Sequence, residues 1–166
     1  MAAVTSSRTA TVTLPTDEQI LITREFDAPK RLVWRAWTTP ELVKRWWSGR
    51  RGEMTQVDLD LRVGGTWRYV MLAHGEFEIA FHGTYREIVP EERIVTTEVF
   101  EGMPGPSEDA VIDVVTFAEE DGRTRLELLV QAASKEIRDA IIDSGMEAGM
   151  QEQMDALEEL AMDAAD

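Results

Sequence analysis

The chain has 166 residues, of which 43% are hydrophobic and 30% charged, with a formal net charge of −15. That length and balance describe one folded domain large enough for a core and an internal cavity. The absence of cysteine excludes disulfides, thiol catalysis and cysteine-ligated zinc, and no apolar run approaches the roughly 18 residues of a membrane helix. The opening stretch, MAAVTSSRTATVTLPTD, has no continuous apolar region of the kind a secretion signal needs. A cytoplasmic location is the resulting expectation.

The charge is uneven. Residues 30–51 hold seven Lys/Arg against one Glu, whereas residues 135–166 hold two basic residues against ten acids. Such an acidic chain repels nucleic acid as a whole. The plain reading of both runs is a pair of solvated helix faces. The sharper reading is a basic rim that steers an anionic ligand or an acidic protein partner.

In chain order, EQILITREF at 18–26 alternates as a strand does, and TATVTL before the Pro15-Thr16-Asp17 turn pairs with it as an edge strand. Asp27 then reads as an N-cap, with Pro29 in the first turn of a short helix to Trp37. Thr39-Pro40-Glu41 repeats the device and opens a second short helix that Ser48-Gly49 ends. On this second helix Leu42, Val43, Trp46 and Trp47 span an arc of about 140° at about 100° per residue. Trp46 lies inside the arc and reads as core. Trp47 lies at its edge, where a side chain is half-buried or forms the lip of a cleft.

From residue 53 the period becomes two. MTQVDLDLRV places Thr55, Val57, Leu59 and Leu61 on one face, and Gly64-Gly65 reads as a tight hairpin turn. GTWRYVML puts Trp67, Tyr69 and Met71 on one face, with Arg68 opposite. After a His74-Gly75 turn, EFEIAFHGTY puts Phe77, Ile79, Phe81 and Tyr85 on one face, with Glu76, Glu78 and His82 on the other. RIVTTEVF, AVIDVVTF and TRLELLV are three further strands, joined by EGMPGPSED and EEDG loops. Both phases of AVIDVVTF are partly apolar, so its inner face stays open. SKEIRDAIID reads as a helical lead-in. Ser144 and Glu147 form a capping box before a long helix whose stripe is Met146, Met150, Met154, Leu157 and Ala161. That stripe must cover the aromatic face of the sheet. The reading is an α+β helix-grip fold: a curved antiparallel sheet around a long C-terminal helix, with two short helices plugging one end. Residues 1–17 form a partly flexible extension, 18–162 the domain and 163–166 a tail.

Familiar catalytic arrangements are missing. His74 and His82 lie in a turn and on a polar strand phase, without partners at metal-ligand or acid–base spacing. No Gly-x-Ser-x-Gly elbow is present, and Gly64-Gly65 opens no helix, so it is no phosphate loop. No catalytic residue, metal site or cofactor is expected. What remains is shape: Trp67, Tyr69, Met71, Phe77, Phe81 and Tyr85 facing a methionine-bearing helix. The stripe is core on the plain reading and pocket on the sharper one. Methionine adapts to varied apolar shapes, and buried tyrosine and tryptophan need a polar partner that a ligand can supply. Tyr69, Tyr85 and, where its strand turns it inward, Asp113 are the polar groups such a pocket would offer.

ITREFDAPKRLVWRAWTTPELVKRWW, DLRVGGTWRYVM, HGTYREIVPEERIVTTEVF and SGMEAGMQEQMDALEEL together resemble the activator-of-heat-shock-ATPase-like (AHSA-type) branch of the START-like, polyketide-cyclase (SRPBCC) superfamily, over roughly residues 18–162. The resemblance implies a helix-grip fold with a cavity between helix and sheet. Relatives bind lipids, sterols, polyketides, hormones or antibiotics. Some cyclise or dehydrate polyketides, a few protect against enediyne antibiotics at the cost of their own backbone, and the namesakes stimulate a chaperone ATPase. Many relatives have Gly-Trp where this chain has Gly149-Met150, a change that would enlarge or soften the cavity. The expectation is a small hydrophobic or aromatic ligand, natural-product or lipid-like, in a cavity of about 300–1,000 Å³. Its expected lining is Trp37, Trp47, Trp67, Tyr69, Met71, Phe77, Phe81, Tyr85, Met103, Met146, Met150 and Met154. Gly102 and Gly105, in a bordering loop, are the candidate sacrificial glycines. A cyclase-type enzyme, a resistance protein and a chaperone partner are the alternatives. Neither nucleic acid nor membrane is an expected partner.

Overall fold

The period-two segments assemble into antiparallel sheet in the computed structural model, which describes residues 9–49, 52–101 and 110–165. The strands are β1 (Thr11–Thr13), β2 (Gln19–Phe26), β3 (Gly52–Leu59), β4 (Thr66–Ala73), β5 (Phe77–Val89), β6 (Arg93–Thr97), β7 (Val99–Phe100), β8 (Val111–Glu120) and β9 (Arg123–Ala132). Their spatial order is β1-β2-β9-β8-β6-β5-β4-β3, with β7 beside β5. Two short helices, α1 (Lys30–Thr38) and α2 (Pro40–Trp46), carry the chain from β2 to the opposite edge at β3. After β9 come α3 (Lys135–Asp143) and the long α4 (Met146–Ala165), which packs against both α1 and α2. This is the α+β helix-grip arrangement. Residues 10–13, read above as extension, belong to it: β1 pairs with β2, and Ala10 exchanges hydrogen bonds with the Gln151 side chain on α4.

The core lies between the sheet's concave face and α4. Ile20, Ile22 and Phe26 of β2, Leu126 of β9, and Met154 and Leu157 of α4 are almost fully buried. One cation interrupts this apolar set. Arg24 shares the inward phase of Ile20 and Ile22 and is 1% exposed. Its Nη1 donates to Asp155 at 2.8 Å and its Nη2 to Glu158 at 3.0 Å, and its guanidinium lies 5.3 Å from the Phe26 ring centre. A buried charge is tolerated only when paired, so this arginine fixes where α4 crosses β2.

Local chemistry departs from the sequence reading at several joints. Asp27 does not cap α1. Pro29 holds the N-cap position with an extended backbone, and the Asp27 carboxylate instead meets Arg123 at 2.8 Å. In β3 a bulge between Met54 and Gln56 flips the phase, so Met54, not Thr55, joins Val57 on the buried face. The strand ends at Leu59, and the connection to β4 is a wider loop with only Gly64 in the left-handed region (φ 86°). Gly65 serves another purpose there: a Cβ would lie 2.2 Å from the Asp60 carbonyl oxygen. The Ser144 hydroxyl donates to the Ile141 carbonyl at 2.6 Å and so closes α3 rather than capping α4. The face of β8 left open is settled by register: Asp113, Val115 and Phe117 point inward, opposite Val130, Leu128 and Leu126.

Candidate functional site

Three rows of side chains across the sheet build the site. In the first, Tyr85, Thr96, Asp113 and Val130 sit opposite one another on β5, β6, β8 and β9. In the second, Ile94, Val115 and Leu128 do the same. In the third, Trp67 of β4 faces Gly83 of β5. Glu98 belongs beside this third row. It shares the phase of Ile94 and Thr96 and falls at the break between β6 and β7, where its N–H still reaches the Val111 carbonyl at 2.9 Å. Alternation therefore turns Glu98 and Asp113 to the same face as diagonal neighbours.

Over these rows lies a cavity of about 150 Å³. Trp37, Trp46 and Trp47 close one side, Trp67, Tyr69 and Tyr85 another, and Met150, Gln153 and Met154 of α4 form the roof. Ring contacts brace the walls: Trp37 lies 5.0 Å from Trp46, Trp47 meets Tyr69 edge-on at 5.5 Å, and Trp67 is 4.9 Å from Tyr69. Trp46 is anchored by its Nε1, which donates to the Ala36 carbonyl at 2.8 Å. The amide of Gln153 donates to the Trp47 carbonyl, which ties the lip to the roof.

The polar groups are concentrated on the sheet side. Glu98 and Asp113 share a hydrogen bond, which two carboxyls can form only while one holds a proton. Burial is the main reason Glu98 is pushed up to about 7. Burial, then the Glu98 charge and the hydrogen bond to it, holds Asp113 well above the carboxylate range. Both residues keep some accessible surface, and both line the cavity. The hydroxyls of Tyr69 and Tyr85 are neighbours. Burial raises the Tyr69 phenol well above its ordinary value and takes Tyr85 to about 12. Two residues of the lining each carry a fully buried polar atom with no partner: Asp113 Oδ1 and Trp67 Nε1. Gly83 explains the room beside the indole, since a Cβ there would sit 2.6 Å from Trp67 Nε1 and 1.9 Å from the Thr97 carbonyl oxygen.

The structure brings together Trp37, Trp47, Trp67, Tyr69, Tyr85, Met150 and Met154 of the expected lining. It does not bring in the rest. Met71 is buried one pleat further along β4, and Phe81 packs outside against Trp47 and Phe100. Phe77, at the start of β5, is 53% exposed. Met146 is half-buried in the first turn of α4, away from the void. Met103, Gly102 and Gly105 lie outside the described residues. The sequence reading has Trp46 in the core but not in the cavity wall, and it does not find Glu98, Thr96 or Gln153. Glu98 had a readable signal, because a strand that turns Ile94 inward also turns residue 98 inward. The void is smaller than expected, because the two short helices drive three tryptophans into it. It has the volume of one six-membered ring, not of a lipid chain. His82 lies on the outer face, where its Nδ1 is 2.8 Å from Glu101 and Arg68 holds that carboxylate down at about 2. Among the described residues, no group of three or more His, Asp or Glu could hold a metal ion, and no helix is long and apolar enough to cross a membrane.

The fold and cavity together define a class, the α+β helix-grip proteins with a void between a long C-terminal helix and an antiparallel sheet. The family model described as "Activator of Hsp90 ATPase homolog 1-like protein" matches residues 27–162, and the chain belongs to that family, as its quoted segments implied. Among solved structures it is similar to a Chromobacterium violaceum protein at 29% identity and TM-score 0.75, over 88% of this chain and 98% of that one. A Mycobacterium smegmatis protein matches at 27% identity and TM-score 0.79, over 91% and 96%. A Rhodobacter sphaeroides protein, at 24% identity, shares the fold at TM-score 0.84 over 95% and 99%. None of the curated proteins matches the chain.

Proposed function

We propose that this protein binds a compact, largely aromatic or apolar molecule in the cavity between α4 and the sheet. The observation that carries the reading is a void of about 150 Å³ lined by six aromatic side chains and, on the sheet side, by Glu98 and Asp113. Bulky natural products and lipids do not fit this volume, which favours a ligand of about one ring.

A second reading has an observation of its own. Two hydrogen-bonded carboxyls, one holding its proton near neutral pH, are the equipment of general acid–base catalysis. The same cavity would then turn its ligand over.

The test is a titration of methyl- and indole-labelled protein with single-ring compounds, followed by chemical shift. Binding predicts saturable shifts at Trp67 Nε1, Tyr85 and the Met150 and Met154 methyls, with the compound recovered unchanged. A new product growing with time would select the enzyme reading. If no ring compound gives a saturable shift, the cavity reading fails. The surface carrying Lys30, Arg31, Arg35, Lys44 and Arg45 would then be tested against a chaperone ATPase.

A further inference from the structure

The cavity has a sign. Two carboxyls, Glu98 and Asp113, share it with six aromatic side chains, and no lysine, arginine or histidine lines it among the described residues. Among the described residues, the buried charged groups elsewhere have counter-ions: Arg24 meets Asp155 and Glu158, and Arg138 meets Asp139. The acid pair has only itself, and Asp113 Oδ1 has no partner of any kind. Carboxylates paired with π faces are the two features that hold an ammonium group out of water, the first by charge and the second by the ring quadrupole.

We propose that the ligand is a compact organic cation, an amine or quaternary ammonium. This rests on the cavity-binding reading above and names the ligand's chemical class. The ammonium lies against Glu98 and Asp113 among the rings. The remaining titratable groups facing the pair are the Tyr69 and Tyr85 phenols, which stay neutral. Among the described residues, α1, α2 with the Trp47 that follows it, and α4 contribute Trp37, Trp46, Trp47, Met150, Gln153 and Met154, none of them charged. The cation's natural counter-charge is therefore a deprotonated pair, so binding expels the proton the two carboxyls share. A protein of net charge −15 also attracts such a ligand from a distance.

The test uses the full chain and matched isosteres: choline against 3,3-dimethylbutan-1-ol, and benzylamine against benzyl alcohol. Affinities come from chemical-shift titration at Trp67 Nε1 and the Met150 and Met154 methyls. Proton release comes from calorimetry in two buffers of different ionisation heat. The cations should bind at least about tenfold more tightly than their neutral twins and release a proton. Glu98→Gln combined with Asp113→Asn, which keeps both side chains' size, should erase the preference and the release, with the methyl spectrum showing that the variant is folded. Neutral compounds that bind as well as the cations, with a ratio unchanged in that double variant, overturn the cation proposal and leave the cavity reading standing. No saturable shift from either member of either pair overturns both.

Discussion

Replacing Glu98 by glutamine should remove much of the protein's loss of stability between pH 5 and pH 8. In the fold this carboxyl titrates at about 7, against an ordinary 4.5. Through that interval the folded chain holds a proton that the unfolded chain has released. The stability tied to it is complete below about 4.5 and is lost as pH rises through about 7. At about 1.4 kcal/mol per pH unit, the loss attributable to Glu98 is about 3 kcal/mol at most. Asp113 is raised in the same direction, first by burial, so it adds to the loss, and Glu98→Gln with Asp113→Asn should flatten the curve. Carboxylates shifted the other way do not interfere. Glu101, lowered by Arg68, and Asp139, lowered by Lys135, lose their contribution only as pH falls below the ordinary carboxylate range. Urea unfolding at pH 5, 6.5 and 8 measures the effect. A wild-type protein equally stable at pH 5 and pH 8 would refute the reasoning, because it would mean that the pair is hydrated after all.

Gly83→Ala should cost about 1–3 kcal/mol or more, since its Cβ would meet the Thr97 carbonyl oxygen at 1.9 Å, a backbone atom that cannot swing aside. A melting temperature within a degree of wild type would show that β5 and β6 approach less closely than described. The two adjacent tryptophans should separate. Trp46→Ala loses a side chain 3% exposed and its bond to the Ala36 carbonyl and should cost about 3–5 kcal/mol. Trp47→Ala, half-buried and in edge contact with Tyr69 and Phe81, should cost about half as much while weakening ring-compound binding. Equal unfolding midpoints for the two variants would overturn the core-versus-lip distinction.

What was legible followed from period. Trp67, Tyr69 and Tyr85 reached the cavity because unbroken alternation fixes the face of every second residue, and Met150 and Met154 because helical spacing fixes a stripe. Failures fall where period says nothing. The bulge at Met54/Gln56 inserts one residue and reverses a phase without leaving a mark in composition. Caps failed where two candidates competed: Pro29 and Gly145 break the chain more firmly than the hydroxyl or carboxylate beside them. Gly145 holds φ 82°, which separates α3 from α4 and leaves Ser144 to the helix before it. Phe77 failed for a different reason. Its phase is that of the buried face, but the sheet extends past the helices that cover it, so the side chain ends in solvent.

The size and polarity of the void are properties of distance rather than of pattern. Three tryptophans from two short helices reduce its volume, and nothing in their spacing reports how far the helices lean in. Glu98 is the instructive case, since its phase was readable but its identity argued against it. An inward acid on a central strand costs several kcal/mol unless something shares the burden. Here the partner is another acid, which works only by keeping a proton. Two carboxyls on adjacent strands of one inward face, with no basic residue across from them, are therefore a sequence signal in their own right. They require either a shared proton or a bound cation, and the choice between those states depends on pH and on the ligand.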